Sequence, residues 1–140
     1  MPILNIKIEK ISGERKGDVK DRVTANARST ISSIKKEKDK NIGDHLVVAF
    51  KYDVNYEPDI GNILVQGRLW YVNSELEKMI KVSKDSIELK KDVVAEISTA
   101  IVRESLLESL EIARKLQLPP PMQLPKVEVK PEQLKFKKAS

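Results

Sequence analysis

Apolar and polar residues alternate near the start of the chain with the two-residue period of half-buried strands. The first such run is Leu4–Glu9, and a polar turn with a glycine at each end, Gly13–Gly17, follows it. In the second run, Arg22–Ile34, the threonine, serine and isoleucine content favours a strand over a helix. One face of this strand carries Val23, Ala25, Ala27, Ser29 and Ile31. Because these side chains are mostly small, we expect a helix to lie close over them.

The clearest strand is predicted at His45–Tyr56, after a charged loop over residues 35–45. On one side of this strand the sequence places Leu46, Val48, Phe50, Tyr52, Val54 and Tyr56. Proline, aspartate and glycine in Glu57–Asn62 predict a reversal, so Ile63–Val72 is the antiparallel return strand. Gly67 within that strand indicates a bulge or a close approach by another backbone.

Two capping-box patterns, which mark helix N-termini, follow the strands. Ser74–Glu77 predicts a short helix to about Val82, and Asp85–Glu88 predicts a long helix to about Gln117. The predicted fold class is therefore α+β. We expect a four-stranded antiparallel sheet, then a short helix, a long helix packed on one face, and a proline-rich extended strap.

The apolar stripe of the long helix changes direction partway along. Its first part comprises Val93, Ile97, Ala100 and Ile101. Beyond Arg103 the stripe moves to Leu106, Leu107 and Leu110, while Glu104, Glu108 and Glu111 occupy the earlier face. Two interpretations remain open. The helix has two burial surfaces, the sheet and a partner subunit, or a curved sheet follows the turn of the stripe.

The end of the long helix is marked by four prolines within seven residues, Pro119–Pro125. Proline lacks a backbone donor and fixes φ, so the helix must stop and an extended strap must follow. Apolar residues continue through the strap, which predicts packing against its own sheet or a neighbouring subunit. We expect one domain over residues 1–127, with a basic tail over 128–140. Val127 and Val129 suit a short edge strand, and Lys135–Lys138 are expected to be loose.

The amino-acid composition limits the class of protein but gives little information about its activity. The 140 residues include no cysteine, which excludes disulfides, thiolate zinc sites and cysteine nucleophiles. The Lys/Glu-rich and Ile/Val/Leu-rich balance leans toward a thermophile. The first residues alternate polar and apolar, and no apolar run approaches the roughly 20 residues that span a bilayer, so we expect a cytoplasmic protein without membrane contact. The 26 basic and 21 acidic residues are mostly interleaved, as on a solvated surface.

No residue pattern in the chain points to catalysis. His45, the single histidine, is expected to be an exposed residue at a strand end. Glu104 and Glu108 lie four residues apart and suit a solvated helix face. Carboxylates near the turns lack a calcium-loop spacing, and the five glycines form no phosphate-binding loop. We expect no enzymatic activity, no metal and no cofactor.

The aromatic residues divide between the two faces of the predicted sheet. Phe50 and Tyr52 are expected in the core beneath the long helix, whereas Trp70 and Val72 lie on the second face, which is a candidate contact surface. Lys51 is next to Tyr52, and Arg68 is two residues before Trp70. Stacking platforms for single-stranded nucleic acid also combine aromatic and basic residues, so that alternative stays open.

The order of elements resembles the SecB-type chaperone fold, or an archaeal family that shares it. The similarity lies in four antiparallel strands, a short helix, a long helix and a proline-broken apolar strap. Its most specific parts are Ile101–Ser105, the run Leu118–Val127, and the glycine-containing fourth strand Gly61–Val72. The resemblance implies a homo-oligomeric holdase that offers apolar grooves to unfolded clients and uses no nucleotide. SecB is acidic and docks its motor partner through acidic surface, so this basic chain is not expected to share that export role.

We therefore expect a dimer or tetramer that holds apolar polypeptide segments. The residues expected to contact polypeptide or a second subunit are Trp70, Val72, Leu118, Met122 and Leu124. A less favoured alternative is nucleic-acid binding through the charged loop and the tail, with the contacts Lys35, Lys36, Lys38, Lys40, Lys135, Lys137 and Lys138. A structural or assembly role is the third possibility.

Overall fold

The computed structural model describes residues 3–18, 22–121 and 133–138. The elements in chain order are β1 Ile3–Arg15, β2 Thr24–Asp39, β3 Gly43–Glu57, β4 Gly61–Tyr71, α1 Leu76–Met79, β5 Ile80–Val82, β6 Ser86–Lys90, α2 Lys91–Lys115 and β7 Gln133–Lys137. The first four strands form one antiparallel sheet, and α2 packs on one of its faces. The predicted α+β class is confirmed.

The strand order of the main sheet is β1-β4-β3-β2, so the first two strands lie on opposite edges. The connection between them passes the turn that joins β3 to β4. There the N–H groups of Lys16 and Gly17 donate to the carbonyl oxygen of Ile60, at 2.7 and 3.2 Å. A smaller antiparallel sheet has the order β5-β6-β7.

The core lies between α2 and the inward face of β3 and β4. The six alternate residues of β3 from Leu46 to Tyr56 that were predicted to share a face are each at most 2% exposed. The first half of α2 packs on the first three of these residues through Val93, Val94, Ile97 and Ile101. The other three belong to a second cluster, which includes Ala113 of α2. On the edge strand β2, the predicted face from Val23 to Ile31 is partly buried on this side of the sheet.

The second half of α2 faces the sheet with small side chains. Ser105 and Ser109 are fully buried, and Ala113 is 2% exposed. Small residues let a helix lie close to a sheet whose inward side chains include tyrosines. The leucines of the shifted stripe point elsewhere, because Leu107 is 60% exposed and Leu106 and Leu110 are partly exposed. The helix thus has a sheet-facing side and a second apolar side.

Two predicted connections are strands in the structure. The expected loop over 35–45 is wrong, since β2 continues to Asp39 and only residues 40–42 turn. Asp39 Oδ1 accepts the N–H groups of Asn41 and Ile42, which holds the pKa of this carboxyl below its usual value. The expected turn at Gly13 is also wrong, because β1 continues to Arg15. A Cβ on Gly13 would lie 2.7 Å from Ile112 Cγ2, so glycine there serves packing against α2.

Neither predicted capping box forms, although the predicted short helix is present at the first of them. Helix α1 is only Leu76–Met79, without a side-chain cap at Glu75, and Ile80–Val82 form β5. Residues Ser86–Lys90 form β6 because Ile87 and Leu89 alternate with polar residues and are almost fully buried. Helix α2 begins at Lys91 and ends at Lys115, two residues before the predicted end.

Part of the tail that was expected to be loose is ordered. Gln133–Lys137 form β7, which pairs with β6 from Lys90↔Gln133 to Ser86↔Lys137. Phe136 packs against the main core cluster, and Lys138 forms a parallel bridge with Ile34 of β2. An apolar partner for Phe136 and a free edge on β6 explain this order. The predicted strand at Val127–Val129 and the boundary at residue 127 lie outside the described residues.

Gly67 occupies the close approach that the sequence indicated. A Cβ at this position would lie 2.2 Å from the carbonyl oxygen of Lys7 and 2.9 Å from Phe50 Cζ. Both register shifts between β1 and β4 flank this point, between Leu4 and Lys7 and between Ile8 and Lys10. The edge strand therefore bends around a site where the neighbouring strand carries no side chain.

We expect Gly67→Ala to lower the free energy of unfolding by about 2–3 kcal/mol, because the methyl group must displace backbone of β1. Urea unfolding at neutral pH measures this loss. Gly17→Ala is the matched control, since the nearest atoms to its Cβ would be 3.9 Å away. Equal stability of the two variants would contradict the steric account.

Candidate binding surfaces

A groove of about 450 Å³ lies between β1 and the N-terminal half of α2. Its lining combines apolar residues of both elements with polar residues of the helix: Ile3, Ile6, Ala95, Ala100, Glu96, Thr99, Arg103 and Glu104. The space exists because alanines stand where larger side chains would fill the gap between the helix and the edge strand. Its floor is therefore apolar, and its rim carries charges of both signs.

The strand beside this groove has a free edge. Within the described residues β1 pairs only with β4, so its other edge offers unpaired backbone donors and acceptors. At the same end of β1, Leu4 is 39% exposed on the opposite face of the sheet. An apolar groove and a free strand edge thus lie side by side.

The face of the sheet opposite α2 is open, with Trp70 at one end. Trp70 lies between Leu4 of β1 and Val47 of β3 in the strand register and is partly exposed. It stacks on His45 with ring centroids 4.3 Å apart at 33°. The prediction that His45 is exposed is wrong, since only 2% of it is accessible. The ring that covers His45 is that of Trp70 on β4. A pattern within one strand cannot predict this contact, because it depends on how two strands pair.

The imidazole of His45 is held by one ring nitrogen. Nδ1 lies 3.1 Å from the carbonyl oxygen of Gly43, and Nε2 has no hydrogen-bond partner in the part of the chain that the structure describes. Among the described residues, no acidic or nucleophilic side chain lies within hydrogen-bond reach of this ring.

The start of the proline-rich strap packs against its own sheet. Leu118 is 5% exposed in a cluster with Tyr52 and Tyr56, and Pro121 is buried. Tyr56 Oη donates to the carbonyl oxygen of Pro119. Arg15 Nη1 donates to the carbonyl oxygens of Leu116 and Gln117, at 3.1 and 2.9 Å. These bonds satisfy the carbonyl of Leu116, the C-cap residue of α2, and two carbonyls of the segment that follows it.

The residues predicted to form one contact surface are not together. Trp70 belongs to the open face and Val72 follows the end of β4, whereas Leu118 is buried on the helix side at the far end of the sheet. Met122 and Leu124 lie outside the described residues. Leu118 thus serves the core, and only Trp70 and Val72 of the described set remain available as surface.

The lysines of the predicted charged loop are also divided. Lys35 and Lys36 point to opposite faces of β2. Lys35 Nζ pairs with Glu37 at 3.0 Å, and Lys36 pairs with Glu77. Lys38 and Lys40 are exposed. Lys138 donates its backbone N–H to Asp85, and the side chains of Lys135 and Lys137 lie outside the described part. Among the described residues, the tail residue Lys138 bridges to Ile34 and so lies beside Lys35 and Lys36 of β2.

Other kinds of site find no support in the described ranges. No group of three potential metal ligands occurs among residues 3–18, 22–121 and 133–138. In the same part of the chain, neither helix is both long enough and apolar enough to cross a membrane. Comparison with protein-family models, curated proteins and solved structures returns no match.

Sequence reasoning missed the groove itself. Ile6 was assigned to a half-buried strand and Ala100 to the apolar stripe of the long helix, and neither Ile3 nor Ala95 was assigned a role. The one available signal was the small size of these alanines, and it becomes informative only when β1 is known to lie beside α2.

Burial raises the pKa of Tyr56 to about 12, and the neighbouring Tyr52 adds to the shift. An unfolded tyrosine loses its proton near pH 10, so between about pH 10 and 12 the folded state binds more protons than the unfolded state. Stability must therefore fall as the pH rises through this window. We expect Tyr56→Phe to remove on the order of 1 kcal/mol of this loss by about pH 11, which is one pH unit into the window.

The measurement is urea unfolding of both proteins at about pH 8 and about pH 11. Tyr56→Phe also lacks the bond to Pro119, so it starts about 1 kcal/mol less stable at the lower pH. If the free energy of unfolding falls by the same amount in the two proteins between these pH values, Tyr56 is not a source of the loss of stability at high pH.

Proposed function

We propose that this chain is a non-enzymatic binding protein that holds extended apolar segments of other polypeptides, in the manner of a holdase chaperone. The observation that carries the proposal is the apolar groove beside the free edge of β1. An unfolded polypeptide exposes unpaired backbone groups and apolar side chains. The free edge of β1 can bind the backbone groups, and the groove can bind the side chains.

The mode of binding follows from the geometry of a strand edge. An extended segment adds its backbone hydrogen bonds to β1, and alternate side chains point toward the groove. Burial of those side chains contributes roughly 25 cal/mol per Å² of apolar surface removed from water. Main-chain recognition is independent of sequence, and the mixed charges of Glu96, Arg103 and Glu104 at the rim favour no net charge in the client. Such binding needs no nucleotide and no cofactor.

The SecB-type resemblance supports the same function. It rests on the order of elements, and the order of four strands, a short helix and a long helix is present in the fold. The short strands β5, β6 and β7 are additions that the resemblance did not include. A holdase of this type works as an oligomer, and an oligomer needs a surface through which its subunits contact one another.

We place the subunit contact on the second apolar side of α2. Leu107 is 60% exposed, with the partly exposed Leu106 and Leu110 beside it, and none of them belongs to either core cluster. A dimer or tetramer would bury these leucines against a second copy of the helix, as closed symmetric oligomers do.

Placing a charge in the groove tests the binding function. We expect Ala95→Glu to reduce suppression of aggregation of a chemically unfolded client by about fivefold or more, because an isolated carboxylate is costly to bury against apolar side chains. Ala95 is exposed in the absence of a client, so the fold should tolerate the change. The assay is light scattering of the client at stoichiometric excess of the protein.

Ser74→Glu is the control for this experiment, because it adds the same charge at an exposed position away from the groove. The proposal fails if the unmodified protein protects no unfolded client, or if both variants protect equally well.

The contact on α2 has a separate test. We expect the unmodified protein to be larger than its 15.9 kDa monomer mass at micromolar concentration, and Leu107→Asp to shift it to the monomer. Multi-angle light scattering after size-exclusion chromatography measures both, and circular dichroism checks that the helix content is retained. Glu111→Asp, on the same helix and exposed, is the matched control. A monomer before mutation would reject the oligomeric part of the proposal.

A further inference from the structure

The open face of the main sheet carries a group of cations that come from three different strands. In one row across the strands, Lys51 of β3 and Lys10 of β1 both pair with Gln66 of β4. In the next row, Lys7 of β1 lies opposite Arg68 of β4. Neighbouring strands are about 4.8 Å apart, so these four cations lie within roughly two strand spacings of one another. We call them the sheet-face cations.

These cations are poorly neutralised by the protein itself. Arg68 Nε pairs with Glu9 Oε1 at 3.2 Å, and both side chains are more than half exposed. Lys7, Lys10 and Lys51 are exposed and form no ion pair within residues 3–18, 22–121 and 133–138. Like charges directly opposite each other across two strands, as Lys7 and Arg68 are, lower the stability of a sheet. An anionic ligand would relieve that repulsion.

The ring of Trp70 lies in the row of the sheet next to that of Lys7 and Arg68. Trp70 lies two residues from Arg68 on the same face of β4, between Leu4 and Val47. One neighbour of its ring is His45, whose burial fixes the orientation of the pair. A tryptophan held in place on an open sheet face beside unpaired lysines combines a stacking surface with phosphate partners.

We propose that this open face binds single-stranded nucleic acid. The sheet-face cations contact consecutive phosphates, and an unpaired base stacks on Trp70. Duplexes keep their bases stacked on each other, so only a single strand can use the ring. An apolar client does not suit this face, because its centre is occupied by charged side chains. The surface is on the other side of the sheet from the groove, so the inference is independent of the proposed chaperone function.

Trp70 is the single tryptophan of the chain, so its fluorescence reports directly on this face. The experiment titrates the full chain with a fluorescently labelled 12-nucleotide oligo(dT), following tryptophan quenching and the anisotropy of the label. We expect binding at about 50 mM salt with quenching of Trp70. The logarithm of the affinity should fall with the logarithm of salt concentration with a slope of about 2–3, since a single strand contributes roughly 0.7 per phosphate neutralised.

Charge reversal identifies the surface. We expect the triple variant Lys7→Glu, Lys10→Glu, Lys51→Glu to weaken binding by about tenfold or more and to flatten the salt dependence, because three phosphate contacts are lost. The control triple variant Lys81→Glu, Lys84→Glu, Lys91→Glu makes the same change in net charge at exposed positions elsewhere, and it should bind within about threefold of the unmodified protein. Equal weakening in the two variants would overturn the proposal, because only net charge would then matter.

Trp70→Ala tests the stacking contact through the label on the oligonucleotide. We expect roughly tenfold weaker binding with an unchanged salt slope, since a base contact and not a phosphate contact is removed. Three further results would overturn the proposal. They are absence of binding at about 50 mM salt, equal or tighter binding of the matched duplex, and equal quenching by poly-L-glutamate, which would assign the face to acidic polypeptides. Circular dichroism of each variant confirms that the sheet is retained.

Discussion

The packing of α2 onto β3 and β4 is the constraint on which the rest of the molecule depends. Six alternate residues of β3 are almost inaccessible beneath the helix, which leaves only one register in which that strand can pair without exposing them. The same packing fixes which face of the sheet is open. It also leaves the gap beside β1, because one helix cannot cover four strands. Both candidate binding surfaces therefore exist because a single helix covers only part of the sheet.

The elements that could be predicted from the sequence are those whose pattern is long and regular. β3 and β4 alternate over more than ten residues, and the first half of α2 has a continuous stripe, so local periodicity and tertiary burial agree. The errors arose where a short local signal competed with burial. Asp85–Glu88 reads as a helix cap, yet Ile87 and Leu89 alternate and are buried, and the strand pairing of β6 decides the outcome. Charged residues 35–39 read as a loop, but an edge strand with solvent on both sides accepts such residues.

The candidate sites were less predictable than the fold because each is assembled from distant parts of the chain. His45 is buried by Trp70, which is brought to it only by the pairing of β3 with β4. The groove joins Ile3 to Ala100, and the sheet-face cations come from three strands. Sequence reasoning grouped residues that are near each other in the chain, and so it joined Trp70 with Leu118 although the sheet separates them. Alternation does assign a residue to a face, but it does not reveal which strands are neighbours.

The strand order has a consequence for the time at which the sheet can form. β2, β3 and β4 follow one another through short turns, so two local hairpins can assemble them, and local contacts form fastest. β1 is different, because Ile3 pairs with Tyr71 and Arg15 with Gly61. On a ribosome that releases the chain from its N-terminus, β1 emerges first and has no partner until β4 has followed it. The sheet is therefore completed last by the strand that is synthesised first.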